Sequence, residues 1–390
     1  MLLECNNPRL VILDIDQMAD WSDAMIKAFL DRYPGAFLLS SQVARYPGNV
    51  HARQIGQPTD LAVKDLIRAR HVNPCDALFI TGGPREAARV GSMSVSTIIW
   101  GQGLPTVHSQ LPDFIAGSYD ELTSFLSGAI FGYFGEMLAQ GEYGIGQFHL
   151  YDEQHILDPS ITAQVIAAGR YFPSEDRRHI FHPLSQRILG FKRGKYKETL
   201  ASIVNHSLTV LNRNDRWDFI TSAPGHDSGN RMGELLTMAA EMDTGLFRGV
   251  RIDADLITMS RTYGSQKRSG NWPHRAINVN GAFQVRRKIS GTGVLIDDVI
   301  TSGATAMECV KALQSAGADR VLIVALAISQ DTQKPFELQP VICKNCGRPM
   351  QLRFNIRHET PFFGCHGYPE CRGAVKYEAV RHQLNRLNDF

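Results

Sequence analysis

Apolar runs of four or five residues recur along the first part of the chain, most of them closing on small or acidic residues. Leu10-Val-Ile-Leu13 ends in Asp14-Ile15-Asp16, Ala36-Phe-Leu-Leu39 in Ser40-Ser41, and Ala77-Leu-Phe-Ile80 in Thr81-Gly82-Gly83. A fourth run is Ser96-Thr-Ile-Ile-Trp100, and stretches of helical spacing such as Leu61 to Arg70 lie between the runs. Continuous apolar runs mark strands covered on both faces, so their alternation with helices predicts a parallel α/β sheet. The apolar, Gly-containing stretch from Leu122 to Leu138 predicts a helix connecting this unit to the next.

A second α/β pattern follows. Its clearest unit is a strand at Gly293 to Ile296, an acidic turn, a helix from Ala304 to Ser315, and a strand from Val321 to Ala327. Ala306, Val310 and Leu313 share one helix face, and Gly317 suits the left-handed residue beyond the helix end. This is a βαβ crossover of ordinary length. A Pro- and Gln-bearing linker, Asp331 to Pro340, leads to a cysteine-rich end. The expected fold class is therefore α/β, with parallel-sheet units over 1–140 and 141–330 and a small module over 341–390.

At 390 residues, 43% hydrophobic and 21% charged, the composition is that of a globular chain; it excludes a collagen-like repeat, a coiled coil or a mostly disordered chain. No apolar stretch approaches the ~20 residues that span a bilayer, so no membrane partner is expected. Met1 to Asp20 lacks a basic region followed by an apolar core, so a cytoplasmic protein is expected rather than a secreted one. The net charge of +2 divides unevenly. Residues 1–140 carry 10 Lys+Arg against 14 Asp+Glu (−4), residues 141–342 carry 23 against 21 (+2), and residues 343–390 carry 8 against 4 (+4). A basic tail hints at nucleic acid.

The most informative stretch is Val294-Leu-Ile-Asp297-Asp298-Val-Ile-Thr301-Ser302-Gly303-Ala304-Thr305. Two carboxylates leave a buried strand, and small hydroxylated residues then lead into a helix whose free N–H groups and dipole favour an anion. Carboxylates for sugar hydroxyls beside donors for a phosphate describe a ribose-5-phosphate cradle. The plainer alternative is an acidic turn with Thr or Ser as a helix cap.

This stretch resembles the 5-phosphoribosyl-1-diphosphate (PRPP) signature of type I phosphoribosyltransferases. By that resemblance Asp297 and Asp298 bind the ribose hydroxyls, and Thr301, Ser302, Gly303, Ala304 and Thr305 wrap the 5-phosphate. Arg261-Thr262, Gln266-Lys267, Arg275 and Asn278-Val-Asn-Gly-Ala-Phe283 precede it with the spacing of the ComF competence family. Ile188-Leu-Gly-Phe-Lys192, followed by Gly194, looks like that family's earlier Lys-containing element. Phe219-Ile-Thr-Ser222-Ala223-Pro224-Gly225-His226 sits where the family has its diphosphate loop. After that loop the family has an Arg-Gly-aromatic-Asn-Gln run, whereas this chain has Asn230-Arg231-Met232-Gly233.

The resemblance implies an enzyme that takes PRPP with Mg²⁺ and passes phosphoribose to an acceptor the sequence does not identify. Diphosphate leaves through a cation-like transition state, so positive charge must balance it. Arg261, Lys267 and Arg275 are the candidate catalytic cations. They lie in or beside the stretch from Tyr263 to Asn271, which reads as a mobile lid or as a solvated basic loop. Self-association is left open.

Of seven cysteines, Cys343, Cys346, Cys365 and Cys371 cluster with the spacing C-x2-C-x18-C-x5-C. In a cytoplasmic chain that pattern points to tetrahedral Zn²⁺ rather than disulfides, and metal binding supplies much of the folding energy of so short a module. Cys343-Lys-Asn-Cys346-Gly347, Phe363-Gly364-Cys365 and Tyr368-Pro369-Glu370-Cys371 resemble the C-terminal zinc finger of type IA DNA topoisomerases. Such fingers bind single-stranded DNA, which makes Arg353, Phe354, Phe363 and Tyr368 candidate nucleic-acid contacts, with a tiny aromatic core as the alternative. A second functional reading follows: a non-enzymatic protein of competence type that handles single strands and uses the PRPP fold as scaffold or sensor.

Asp14-Ile15-Asp16 after a buried strand, with Ser40 or Ser41 after the next, resembles the opening motifs of the haloacid dehalogenase-like superfamily. The later motifs are missing: Thr81-Gly82-Gly83-Pro84 carries no Asp, and Lys64 is the one lysine in range. The expectation is a degenerate domain in which Asp14 and Asp16 are a remnant phosphatase site, or Asp14 a helix cap.

Overall fold

A computed structural model of the chain describes residues 8–42, 50–52, 57–105, 107–174, 176–212, 216–225, 230–242, 249–263, 272–331, 341–355, 357–358, 360–377 and 379–380. The first apolar runs form strands β1 (Leu10–Asp14), β2 (Phe37–Ser40), β3 (Val50–Ala52), β4 (Ala77–Thr81), β5 (Ser96–Trp100) and β6 (Phe114–Ala116). All pair parallel, in the order β3-β2-β1-β4-β5-β6. Every side chain of β1 is buried. Because successive residues face opposite ways, the sheet feeds two core layers. Val11, Leu13, Leu78 and Ile80 pack with Ile26 and Phe29 of α1 (Asp23–Arg32) and with Leu122 and Phe125. Leu10, Ile12, Ala77 and Phe79 pack with Val63, Leu66 and Ile67 of α2 (Thr59–Ala69) and with Val90 of α3 (Pro84–Gly91).

The helix expected over Leu122 to Leu138 is instead two, α4 (Tyr119–Leu126) and α5 (Phe134–Ala139). Gly128, at φ +77°, takes the left-handed conformation that ends a helix, so apolar periodicity alone did not carry across it.

The chain divides into two compact units. The sheet just described belongs to a unit drawn from Met1–Gly132, Phe172–Gln186 and Gln330–Phe390. The other, from Tyr133–Tyr171 and Arg187–Ser329, holds β7 (His149–His155), β8 (Asp158–Ala167), β9 (Arg170–Tyr171), β10 (Phe219–Ser222), β11 (Arg251–Ile252), β12 (Ile257–Met259), β13 (Phe283–Val285), β14 (Thr292–Ile300) and β15 (Arg320–Ser329). Its main sheet runs β11-β10-β14-β15-β8-β7, with β9 also on β15. All pairs are parallel except β7–β8, and β12–β13 form a separate antiparallel pair. The helices are α6 (Pro183–Phe191), which ends inside this unit, α7 (Lys197–Leu211), α8 (Arg231–Glu241), α9 (Trp272–Val279) and α10 (Ala304–Ser315). The expected strand–helix–strand unit is thus present as β14, α10 and β15.

The C-terminal module is a three-stranded antiparallel sheet of β16 (Met350–Asn355), β17 (Thr360–Cys365) and β18 (Ala374–Lys376). Its core of Met350, Phe363, Tyr377 and Val380 is completed by Phe181 from the same unit. Among the described residues no helix is long and apolar enough to cross a membrane.

Candidate functional site

In the central strand β14, Val294, Leu295 and Ile296 are buried, and the strand does not stop there. It continues to Ile300, so Asp297 and Asp298 lie within a strand and not in the expected acidic turn. Both carboxylates fold back on the chain. Asp298 N–H donates to Asp297 Oδ1 (2.8 Å) and Val299 N–H to Asp298 Oδ1 (2.7 Å). The second oxygen of Asp298 faces Lys192 Nζ at 3.3 Å. Burial, then the adjacent Asp298 carboxylate, pushes Asp297 up to about 7.

The turn Thr301-Ser302-Gly303 leads directly into α10. Gly303 holds the N-cap position at φ +68°, and no side chain caps the helix. The Thr or Ser cap of the alternative reading is therefore not formed, and the first N–H groups of α10 are not taken by a cap. Glycine suits 303 because φ is positive; a Cβ there would make only ordinary contact with Glu153 of β7, at 3.5 Å. Ser302, Gly303 and Ala304 line a small pocket with His155, Ala276 and Met307, and Thr305 lies on the first turn of the helix.

Strand β10 sets the proposed diphosphate loop beside the acids, since Ser222 pairs in register with Ile296, one residue before Asp297. Ser222 Oγ donates to the Ala254 carbonyl (2.8 Å), and Ala223 N–H donates to the Ile296 carbonyl (2.9 Å). Pro224 and Gly225 are half-buried at the loop's exit. Where the family resemblance failed, Asn230 caps α8 by accepting from Gly233 N–H (2.8 Å) and donates to Asp255 (2.9 Å). Arg231 donates to the Lys192 carbonyl (3.2 Å).

The three candidate cations fare differently. Arg261 donates to the carbonyls of Asn278 (3.0 Å) and Asn280 (2.6 Å) at the end of α9, so its guanidinium holds a helix terminus. Arg275 is half-buried on α9. Lys267 lies outside the described residues, as does His226. Among the described residues, the cation brought to the acids is Lys192, just past α6, near the Tyr171 ring (5.9 Å). Its sequence element was visible, but its partnership with Asp298 joins two distant stretches of chain and has no local signal. Tyr263 is a further neighbour: burial first, then Cys309 and Asp297, pushes its hydroxyl up to about 12.

The second site is the cysteine cluster. The sulfurs of Cys343, Cys346, Cys365 and Cys371 all lie within 4.8 Å of one another, with Cys343–Cys371 at 3.7 Å and Cys346–Cys365 at 3.4 Å. A tetrahedral zinc thiolate with Zn–S near 2.3 Å has sulfur–sulfur edges of about 3.8 Å, so the set fits a metal ion. Gly367 N–H donates to Cys365 Sγ (3.2 Å) and favours its thiolate, but burial and the neighbouring sulfurs still push that thiol up to about 12. The Cys343 thiol is drawn down to about 7, chiefly by the N–H of Asn345 and further by that of Cys346, against the effect of burial. Among the described residues this is the one group of three or more His, Cys, Asp or Glu ligands.

Strand parity sorts the aromatic residues of this module. Leu352, Phe363 and Val375 lie opposite one another in register and face the core, where Phe363 stacks on Tyr377 at 6.2 Å. Phe363 is thus a core residue and not a free contact, and Phe354 shares the parity of Leu352 on β16 and is half-buried. The opposite face carries Arg353, Phe362 and Lys376 in one cross-strand row, with Tyr368 exposed beyond β17.

In the first unit Asp14 and Thr81 close the strands on either side of the reversal in strand order, the usual ligand crevice of such sheets. Asp14 is fully buried and accepts from Thr81 Oγ1 (3.3 Å); it makes no side-chain cap. Asp16 accepts from Ser40 Oγ (2.9 Å) and Ser41 N–H (2.8 Å), so the residues of the first two motifs do meet.

Set against known proteins, the chain matches no family model and no curated protein.

Proposed function

We propose that the unit containing β14 is a ComF-like, type I phosphoribosyltransferase domain that binds PRPP and transfers phosphoribose to a base or nucleotide-like acceptor. The observation that carries this reading is the sequence of β14, the Gly303 turn and α10. A strand presents two acids, and the next helix offers an N-terminus that no side chain caps. Asp297 and Asp298 would take the ribose hydroxyls, residues 301–305 the 5-phosphate, and Ser222 to Gly225 the diphosphate. Mg²⁺ belongs to this reading as part of the ligand, arriving on its diphosphate. Isothermal titration of the full-length protein with PRPP and Mg²⁺ tests it. Saturable binding that is lost in Asp297→Asn is the expected result; no binding by the wild type at saturating ligand overturns it.

The same reading takes the first unit's sheet as a degenerate haloacid dehalogenase-like domain, on its strand order and the burial of Asp14. The cysteine module is read as a zinc ribbon in a reducing, cytoplasmic setting. A second functional reading, single-stranded nucleic acid binding by that ribbon, is favoured by the outward row of Arg353, Phe362 and Lys376. A ring between two cations suits a base and its flanking phosphates.

A further inference from the structure

Two adjacent carboxylates are an awkward welcome for an anionic ligand, and the structure contains a device that offsets them. Lys192 Nζ lies 3.3 Å from Asp298 Oδ2, while the other oxygen of Asp298 is held by the Val299 N–H. The lysine is itself fixed. Its N–H donates to the Ile188 carbonyl (3.4 Å), its carbonyl accepts from Arg231 (3.2 Å), and the Tyr171 ring flanks its ammonium. Burial draws that ammonium down, but Asp298 and then Tyr171 pull it up further, so it remains charged throughout the neutral range.

We infer that Lys192 is a positioning residue of this site: its ammonium orients the Asp298 carboxylate and keeps the neighbouring Asp297 fit to accept a ribose hydroxyl. The inference rests on the PRPP reading for the identity of the ligand, but the pairing itself does not.

The charges around Asp297 make the role measurable. Asp298 on the same strand raises its pKa, Lys192 after α6 lowers it, and Tyr263 and Cys309 are further titratable neighbours among the described residues. Removing the ammonium therefore moves Asp297 upward from about 7, and removing the Asp298 charge moves it downward. Loss of a lysine that merely filled space would leave Asp297 where it is.

The experiment has a ligand-free arm and a ligand arm, both on the full-length protein. In the first, Asp carboxyl ¹³C resonances are followed against pH, with Asp297→Asn used to assign the signal. Lys192→Met is expected to raise the Asp297 midpoint by up to about one pH unit, Lys192→Arg to leave it near the wild-type value, and Asp298→Asn to lower it. In the second, ribose 5-phosphate is titrated calorimetrically between pH 6 and 8.5. Affinity should fall as pH drops through the Asp297 midpoint, and that limb should move upward in Lys192→Met and return in Lys192→Arg. An unchanged midpoint in Lys192→Met overturns the inference even if ligand binds. If the midpoint moves but neither ribose 5-phosphate nor PRPP with Mg²⁺ binds, the PRPP reading fails, and the ligand role of Lys192 falls with it. Circular dichroism separates either result from misfolding.

Discussion

His155 Nε2 lies 2.7 Å from the Glu308 carboxylate, and both side chains are buried. The ring's other nitrogen accepts from the N–H groups of Leu157 (3.2 Å) and Asp158 (3.1 Å), so Nε2 is the one that carries the proton and donates. The second Glu308 oxygen accepts from Gly281 N–H (2.7 Å). One carboxylate therefore ties α10, the helix behind the Gly303 turn, to the edge strand β7 and to the loop before β13. Glu308→Ala strands one buried donor, on His155, worth about 1–3 kcal/mol when left unpaired, and frees the part-buried Gly281 N–H to water. The expected loss is about 2 kcal/mol of stability, read as a lower urea midpoint at constant m-value.

What the sequence reveals and what it conceals follow from range. The strands β1, β2, β4, β5, β14 and β15 and the helix α10 were legible because each carries its own apolar signature and punctuation. The hairpin β7–β8 was not. Strand β7 reads His149-Leu-Tyr-Asp-Glu-Gln-His155, with only its two end histidines buried, and His155 is satisfied there by Glu308 of the distant α10. The acid pair and the four cysteines were likewise local patterns. Lys192 at Asp298 and Phe181 beneath the cysteine module are tertiary facts with no local trace. Phe362 and Phe363 show a finer limit: neighbours in sequence, they face opposite sides of one strand, and only its register assigns them.

Gly303 should be intolerant of a side chain. An alanine there meets an unfavourable left-handed backbone, costing about 1 kcal/mol, with no clash against its neighbours. Gly303→Ala is expected to lower thermal stability modestly while weakening PRPP binding disproportionately, because the turn it distorts is the one assigned to the 5-phosphate. Comparing the melting temperature with the calorimetric affinity separates the two effects.

The cysteine cluster should hold one metal ion per chain. Elemental analysis of protein purified without chelator is expected to give about one zinc, and Cys343→Ser or Cys371→Ser to lose it. Without the ion, four thiols must share a small core, and metal binding is worth roughly 10 kcal/mol or more to modules of this kind. Near-ultraviolet circular dichroism from Phe363 and Tyr377, stacked at 6.2 Å, should then collapse on chelation. Tyr377 also meets Phe181 at 5.3 Å, so the segment 172–186 should gain hydrogen exchange at the same time.

Nucleic-acid binding, if the ribbon performs it, should follow the outward row and not the aromatic residues nearest the metal. Phe362 lies in register with Arg353 on one side and Lys376 on the other. The arginine lies across Gly364, where a Cβ would come within 3.1 Å of its Cδ, so its stem is laid flat against the strand beside the Phe362 ring. Stacking of a base is worth about 1–3 kcal/mol, so Phe362→Ala should weaken single-strand affinity by about ten-fold or more without loss of zinc. Arg353→Ala and Lys376→Ala should each flatten the salt dependence by about 0.7, the value for one phosphate contact on a single strand. Phe363→Ala removes a core ring and should cost about 3 kcal/mol of stability, so its effect on binding should track unfolding of the module. Fluorescence anisotropy with a labelled oligothymidine across a salt series distinguishes these outcomes. Equal loss from Phe362→Ala and Phe363→Ala, with zinc retained in both, would place the binding surface elsewhere.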